Sequence, residues 1–291
     1  MRKTLKLILV ILFVSCCAGA AQELPRHPNR EEIKKLDESG CDDGFSFAVM
    51  GDSHVSRNKF EKIIGLVDEM KPDFAFTVGD FTNDGLPEEY EIFVGQITRA
   101  GVPWFTAPGN HEYRTPEGRT STKGRKRYEK IFGNADFFFD HCGWRFVGLD
   151  VVAFDMLTNS QIKKLKEIFD GYEGRAAVFM HYPPAPIENW EEGFWTTNAE
   201  RFMEILESNK VRYFFSGHIH VYDTLDIGPT TYIVTGGAGE SQDTRRTPDT
   251  LNSPDAGAFH HFVLVEAKED KAVHKVVRPD TKTDDSDSMN E

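Results

Sequence analysis

The sequence predicts an α/β fold in four layers, α-β-β-α, with two packed mixed sheets flanked by helices. Three observations carry this reading. The first half alternates short apolar runs with segments of helical periodicity. The second half repeats that alternation less regularly, and short motifs rich in Asp, His and Asn fall where the apolar runs end.

In chain order, residues 22–43 are charged, poor in large apolar side chains and interrupted by Pro25 and Pro28, which reads as a tether or surface segment. The catalytic domain is expected over 44–279 as a single unit, since 39% hydrophobic residues in 291 can supply one substantial core. Phe45 to Gly51 reads as a strand, and Phe60, Ile63, Ile64 and Val67 then recur at helical spacing before Pro72. A second strand follows from Phe74 to Val78. The next helix has Pro87 in its first turn, an apolar stripe of Tyr90, Phe93, Val94 and Ile97, and Gly101 at its end. Val102 to Ala107 is the third strand. Such β-α-β-α-β alternation with right-handed crossovers builds a largely parallel sheet, and ligand groups then belong at the carboxyl ends of its strands.

Further on, Phe137 to Phe139 and Trp144 to Leu149 form a hairpin around Cys142 and Gly143, and Thr158 with Gln161 makes a capping box for a helix. Ala176 to Met180 is a buried strand delivering His181. Thr197 and Glu200 read as another capping box, and Tyr213 to Phe215 delivers His218 and His220. Thr231 to Thr235, Phe262 to Glu266 and Ala272 to Val277 are expected to complete the second sheet as antiparallel strands. No internal repeat is present, and residues 280–291 form an acidic tail of disordered composition.

Residues 1–21 have the character of an export signal, with Arg2, Lys3 and Lys6 before an apolar run from Leu7 to Val14 too short to span a membrane. Two processing fates fit. Ala18-Gly-Ala20 suits a signal peptidase, and Phe13-Val-Ser-Cys16 is similar to a lipobox, which would anchor the chain to a membrane through acylated Cys16 or Cys17. Either fate places the protein outside the cytoplasm, as a periplasmic, secreted or membrane-anchored chain. Cys41 and Cys142 can then pair as a disulfide or remain two thiols.

The net charge of -13 disfavours non-specific nucleic-acid binding, and nothing in the sequence indicates a protein partner. One segment runs against the acidic trend: Arg119, Lys123, Arg125, Lys126, Arg127 and Lys130 crowd together. They form a solvated loop and helix face, or else steer anionic substrates or touch lipid headgroups.

The motifs at the strand ends carry the chemistry. They are Asp52-Ser-His54, Gly79-Asp80, Gly109-Asn110-His111-Glu112, His181 and Gly217-His218-Ile-His220. Asp52 with His54, and His218 with His220, are separated by one residue, so in extended backbone each pair points to one side and can grip one locale. The combination resembles the calcineurin-like metallophosphoesterase superfamily, whose signature is Asp-x-His, Gly-Asp-x-x-(Asp/Asn), Gly-Asn-His-(Asp/Glu), a lone His and Gly-His-x-His. Every element is present in order between Phe45 and Glu266.

The resemblance implies two divalent or Fe, Mn or Zn-type ions per chain at the strand C-terminal ends. Asp52, His54, Asp80 and His220 would hold one, and Asp80, Asn110, His181 and His218 the other, with Asp80 bridging. Mixed oxygen and imidazole donors suit such ions better than Mg or Ca. Two ions about 3.5 to 4 Å apart lower the pKa of a shared water and clamp an in-line displacement, so attack by a bridging hydroxide needs no covalent phosphoenzyme. His111 is implied as proton donor near the leaving group, with Glu112 orienting it. Asn83 stands where serine/threonine protein phosphatases carry an Asp supporting the motif histidine. Purple acid phosphatases place a Tyr ligand where Asn83 stands and lack the counterpart of His54, so a purple charge-transfer band is not expected.

The expected activity is hydrolysis of phosphate mono- or diesters of small molecules, in the bacterial branch with cyclic-nucleotide phosphodiesterase-like and acid-phosphatase-like members. The alternative is a non-catalytic lipoprotein of the same fold that binds metal or a phosphorylated ligand. Specificity would reside in loops Tyr113 to Thr122, Ala185 to Thr197 with Trp190 and Trp195, and Glu240 to Ala258 with Arg245 and Arg246. The tryptophans could stack on a base or sugar or pack their loop onto the core, and the arginines could hold a second phosphate.

Overall fold

A computed structural model describes residues 28–36, 41, 44–115, 120–184, 187, 189–190, 197–268 and 271–279. The expected export signal with Cys16 and Cys17, the acidic tail, Arg119 and Trp195 lie outside the described residues. The first half contains α1 (Pro28–Leu36), β1 (Phe45–Met50), α2 (Asn58–Met70), β2 (Phe74–Thr77), α3 (Pro87–Ile97), β3 (Trp104–Thr106) and α4 (Thr122–Phe132). After these come β4 (Phe137–His141), β5 (Trp144–Gly148), α5 (Asn159–Phe169), β6 (Arg175–Phe179), α6 (Ala199–Ser208) and β7 (Tyr213–Ser216). The chain then forms β8 (Tyr222–Ile227), β9 (Thr230–Thr235), β10 (Phe262–Lys268) and β11 (Lys271–Val277).

Two mixed sheets result, with strand orders β11-β10-β1-β2-β3 and β4-β5-β6-β7-β9-β8. Side chains alternate along each strand, so one set faces the partner sheet and the other faces helices. Phe47, Phe74, Phe76, Phe105, Phe146 and Phe179 fill the space between the sheets. Phe76 stacks on Phe179 with ring centroids 4.0 Å apart, and Phe47 meets Phe146 edge-on at 5.3 Å. The alternate residues Ala48, Met50, Ala75, Val147, Val178 and Phe214 belong to the helix-facing core. Ring contacts Phe60–Trp104 and Phe202–Phe214 fasten helices to the two outer faces. Both faces of the central strands are buried, which is why they read as continuous apolar runs.

Several sequence expectations need correction. β10 joins the first sheet antiparallel to β1, and β11 pairs antiparallel with β10 at its edge, so neither belongs to the second sheet. The second sheet is completed by β9, in the sheet expected for it but parallel to β7, and by β8, a strand outside the sequence expectations that pairs antiparallel with β9. Alternation alone specifies a strand but not its neighbour. The segment expected as a tether contains α1, whose Asn29 side chain accepts from Thr106 N at 3.1 Å and donates to Thr106 O at 3.4 Å. Asn29 thereby takes the place of a strand partner along the free edge of β3. The hydroxyl of Tyr128 in α4 donates to the same Thr106 carbonyl at 2.7 Å.

The Thr158–Gln161 capping box forms, but the one expected at Thr197 and Glu200 does not. Asn198 caps α6 in left-handed backbone, φ 66°, held by its Nδ2 donating to Leu157 O at 2.7 Å. A tertiary hydrogen bond overrides the local capping signal there.

Cys41 and Cys142 form a disulfide that ties the stretch before β1 to the β4–β5 turn, closing a sequence separation of 101 residues. Cys142→Ser is expected to lower the unfolding free energy by about 2–5 kcal/mol. Urea denaturation of the oxidised protein and the variant measures it; indistinguishable midpoints would contradict the assignment of a stabilising role.

Candidate metal centre

Loops after β1, β2, β3, β6 and β7 converge on one rim and bring every motif residue together. The backbone there is not extended. Asp52, His54, Asp80 and His218 all take left-handed φ values, between 47° and 67°, where non-glycine residues are uncommon and strain gathers at functional sites. The sharp turns change one expectation: His218 and His220 do not share a locale. His220 joins Asp52 and His54, whereas His218 joins Asp80 and His181, and His54, Asp80 and His111 form a third group.

Close approach explains the glycines of the motifs. A Cβ on Gly109 would lie 2.2 Å from Asp80 Oδ1, and one on Gly79 would lie 2.6 Å from Gly109 N and 2.7 Å from His181 Nδ1. Asp80 sits at the centre of the resulting knot. Its Oδ1 accepts from His111 N at 2.9 Å, and its Oδ2 lies 3.1, 3.7 and 3.8 Å from the Nε2 atoms of His181, His54 and His111. Asn110 Oδ1 is 3.1 Å from His181 Nε2. Asp52 accepts from His218 N at 3.0 Å and lies 3.4 Å from His220 Nε2.

The imidazoles share one orientation. His181 Nδ1 donates to Val78 O at 2.8 Å, His220 Nδ1 donates to Ser241 O at 3.0 Å, and His111 Nδ1 donates to the Asn83 carbonyl. The Nδ1 of His54 lies 3.4 Å from Glu240 Oε2. An oxygen on Nδ1 fixes the tautomer in which Nε2 offers its lone pair inward, the second-shell arrangement of metal-ligating histidines. His54 Nε2 is buried without a hydrogen-bond partner. That orphaned nitrogen, beside carboxylates and further imidazoles, fits a bound cation of the type that takes mixed N and O donors.

Electrostatics point the same way. Burial opposes charge on His181, yet Asp80 and Asp52 outweigh it and raise its pKa to about 9. His220 is likewise raised to about 9, burial being overcome by its hydrogen bond to Asp52. Burial lowers His218 to about 4, helped by His181. Asp80 is held well below the usual carboxylate range, as the surrounding histidines outweigh its burial. The site thus draws positive charge to its carboxylates.

Two sequence assignments in this region change. Glu112 does not orient His111. Its carboxylate accepts from Asp80 N at 2.8 Å, Thr82 N at 2.8 Å, Thr82 Oγ1 at 2.9 Å and Gly109 N at 2.7 Å, which knits the Asp80 loop to the Gly109 loop. His111 is oriented by the backbone carbonyl of Asn83, so no charged dyad is needed at that position. Glu240, at the start of a rim loop, meets His54 through a contact that its sequence position alone does not reveal.

A family profile for calcineurin-like phosphoesterases matches residues 45–222. The chain belongs to the calcineurin-like phosphoesterase family. Membership makes it a metal-dependent phosphoesterase. It is 24% identical over 200 residues to a probable cyclic nucleotide phosphodiesterase of Xenorhabdus bovienii, covering 67% of this chain and 75% of the relative. A glycerophosphodiester phosphodiesterase of Enterobacter lignolyticus is 26% identical, over 52% of this chain and 56% of its own. Among solved structures, a dimetal phosphatase from Danio rerio superposes with a TM-score of 0.65 at 15% identity, covering 82% of this chain and 97% of that one. A purple acid phosphatase from yellow lupin gives 0.63 at 19% identity, over 81% of this chain and 51% of that one. These structures share its fold.

The loops around the rim are tied to the core and to one another. Trp190 is fully buried and its Nε1 donates to Asp223 Oδ2 at 2.7 Å, so it fastens its loop to the core. Arg245 and Arg246 both pair with Asp243, at 2.8 and 3.2 Å. A cavity of about 280 Å³ opens beside His218 and His220, lined also by Ser241, Gln242, Asp243 and Arg245. A larger one of about 390 Å³, between α1 and α3, carries none of the motif residues.

The turn bearing His111 is anchored by Tyr113, whose hydroxyl donates to Asp150 Oδ2 at 2.9 Å. Burial, then the charge of Asp136, raises the Asp150 pKa from 3.8 to about 6. Folding therefore favours the protonated acid. The associated stability is full below about 3.8 and is lost as pH rises through about 6. Relative to Asp150→Asn, the wild-type protein is expected to gain about 2 kcal/mol between pH 7.5 and pH 4.5, read by urea unfolding at both pH values. Parallel pH profiles would contradict this. For Glu112→Ala, loss of a carboxylate serving three buried N–H groups is expected to cost about 3–5 kcal/mol, also read by urea unfolding.

Proposed function

We propose that the protein is an exported phosphoesterase that hydrolyses mono- or diesters of small phosphorylated molecules at a two-metal site. Asp52, His54, Asp80 and His220 would hold one ion, and Asp80, Asn110, His181 and His218 would hold the other. The observation that carries this reading is the set of Nε2 atoms turned toward Asp80 and Asp52, with the buried one on His54 lacking a hydrogen-bond partner. Two bound divalent ions supply a charge that acidifies water and clamps phosphoryl oxygens.

The protein's own groups do the rest. Asp52 and Asp80 supply the negative charge of the site, and the carbonyls of Val78 and Ser241 hold imidazole lone pairs inward. His111 keeps Nδ1–H on Asn83 and presents Nε2, 16% exposed at the side chain, to pass a proton to the departing alcohol oxygen. Burial lowers its pKa below that of an ordinary histidine, which makes the cationic ring a readier donor. The cavity beside His220 accommodates a small alcohol arm. The names of the relatives, a probable cyclic nucleotide phosphodiesterase and a glycerophosphodiester phosphodiesterase, support trying diesters first.

Export is supported by the basic and then apolar run of residues 2–14 and by the Cys41–Cys142 disulfide, which suits an oxidising compartment. Mass spectrometry of the mature amino terminus tests it, a retained Met1 speaking against export.

With Mn added, the purified protein is expected to hydrolyse bis-para-nitrophenyl phosphate or the monoester. No metal-dependent turnover of either would favour the non-catalytic binder. His54→Ala and Asp80→Ala are expected to lose bound metal and activity together, whereas His111→Ala keeps metal and loses about 10²- to 10⁴-fold in kcat. Elemental analysis beside kinetics separates the two classes; equal metal loss in His111→Ala would overturn its role as proton donor.

A further inference from the structure

The Asn83 carbonyl that orients His111 has a second neighbour. Arg114 Nη1 donates to the same oxygen at 3.4 Å, so a guanidinium stands beside the His111 imidazole on the rim. Its position is built rather than incidental. Arg114 N donates to His111 O at 3.3 Å, Arg114 forms an antiparallel bridge to Thr120, and the preceding Tyr113 is fully buried and bonded to Asp150. On the other side lies Tyr182, within electrostatic range of both Arg114 and Asp80, its ring 4.6 Å from that of His218.

Several other arginines of this acidic chain pair with carboxylates: Arg125 with Glu129, Arg145 with Asp140, and Arg245 and Arg246 with Asp243. Arg114 has no carboxylate partner among the described residues, and its one long hydrogen bond leaves most of its five donors uncommitted. A planar, permanently charged fork of donors next to a phosphoryl site is matched to phosphate oxygens.

We propose that Arg114 is a substrate contact, its guanidinium binding a non-bridging oxygen of the phosphoryl group beside His111. The assignment rests on the phosphoesterase reading above and adds a residue that the motif signature does not contain. Half-buried and held by its turn, the guanidinium needs little rearrangement as charge builds on the phosphoryl oxygens.

The test uses the full chain loaded with Mn and two variants, Arg114→Met, which keeps an apolar stem, and Arg114→Lys, which keeps a charge. Metal content by elemental analysis, binding of inorganic phosphate by calorimetry, and turnover of bis-para-nitrophenyl phosphate are read together. Arg114→Met is expected to keep its metal, to bind phosphate about tenfold or more weakly, and to lose about 10²-fold in kcat/KM, with Arg114→Lys falling between it and wild type. Phosphate affinity and turnover within twofold of wild type would overturn the proposal, as would loss of metal from Arg114→Met, which would make the residue a support of the loops. If the wild-type protein hydrolyses no ester, the phosphoesterase reading fails separately, and the phosphate affinities of wild type and Arg114→Met still decide the role of Arg114.

Discussion

The carboxylate of Asp80 is the point on which the rest of the molecule is built. One oxygen receives a backbone N–H from the β3 loop, and the other faces imidazoles from the β1, β3 and β6 loops. A single buried anion cannot remain in such a place uncompensated. The histidines provide the compensation here, and the same geometry can accept cations in their stead. Behind it, Glu112 lies so close that burial and the Asp80 charge raise its pKa to about 7, yet its donors hold it in place. Two neighbouring acids are thus tuned apart, one for charge at the site and one for bracing.

Bringing so many polar atoms together costs backbone strain. Left-handed residues cluster in the ligand loops, and glycines stand where a Cβ would collide with Asp80 or His181. Such strain persists only where surrounding structure over-determines it. The interleaved phenylalanines between the sheets supply that rigidity, since rings stacked from both sides leave the strand ends little freedom. The edge of β3, which presents the loop with Asn110 and His111, is further closed by Asn29 and Tyr128. A core without chemistry therefore determines how accurately the chemistry is placed.

The rim divides into two sides of different character. Toward His220 the walls are polar, with Asp243 holding both arginines. Toward His111 stand Arg114, Tyr182 and the Asn83 carbonyl, where one cation is left without a carboxylate.

The sequence by itself determined the alternation of strands and helices in the first half and the identities of the residues gathered at the rim. Both follow from short-range information: apolar period, Gly and Pro punctuation, and side-chain types that ligate metals. Only the tertiary structure decided that β10 and β11 pair into the first sheet and that α1 closes an edge. It also gave Glu112 its bracing role and assigned the orienting of His111 to a carbonyl. Every residue carries a carbonyl and an N–H, so residue type cannot reveal which of them will meet a given side chain. That choice is made by packing across long sequence separations, where local pattern is silent.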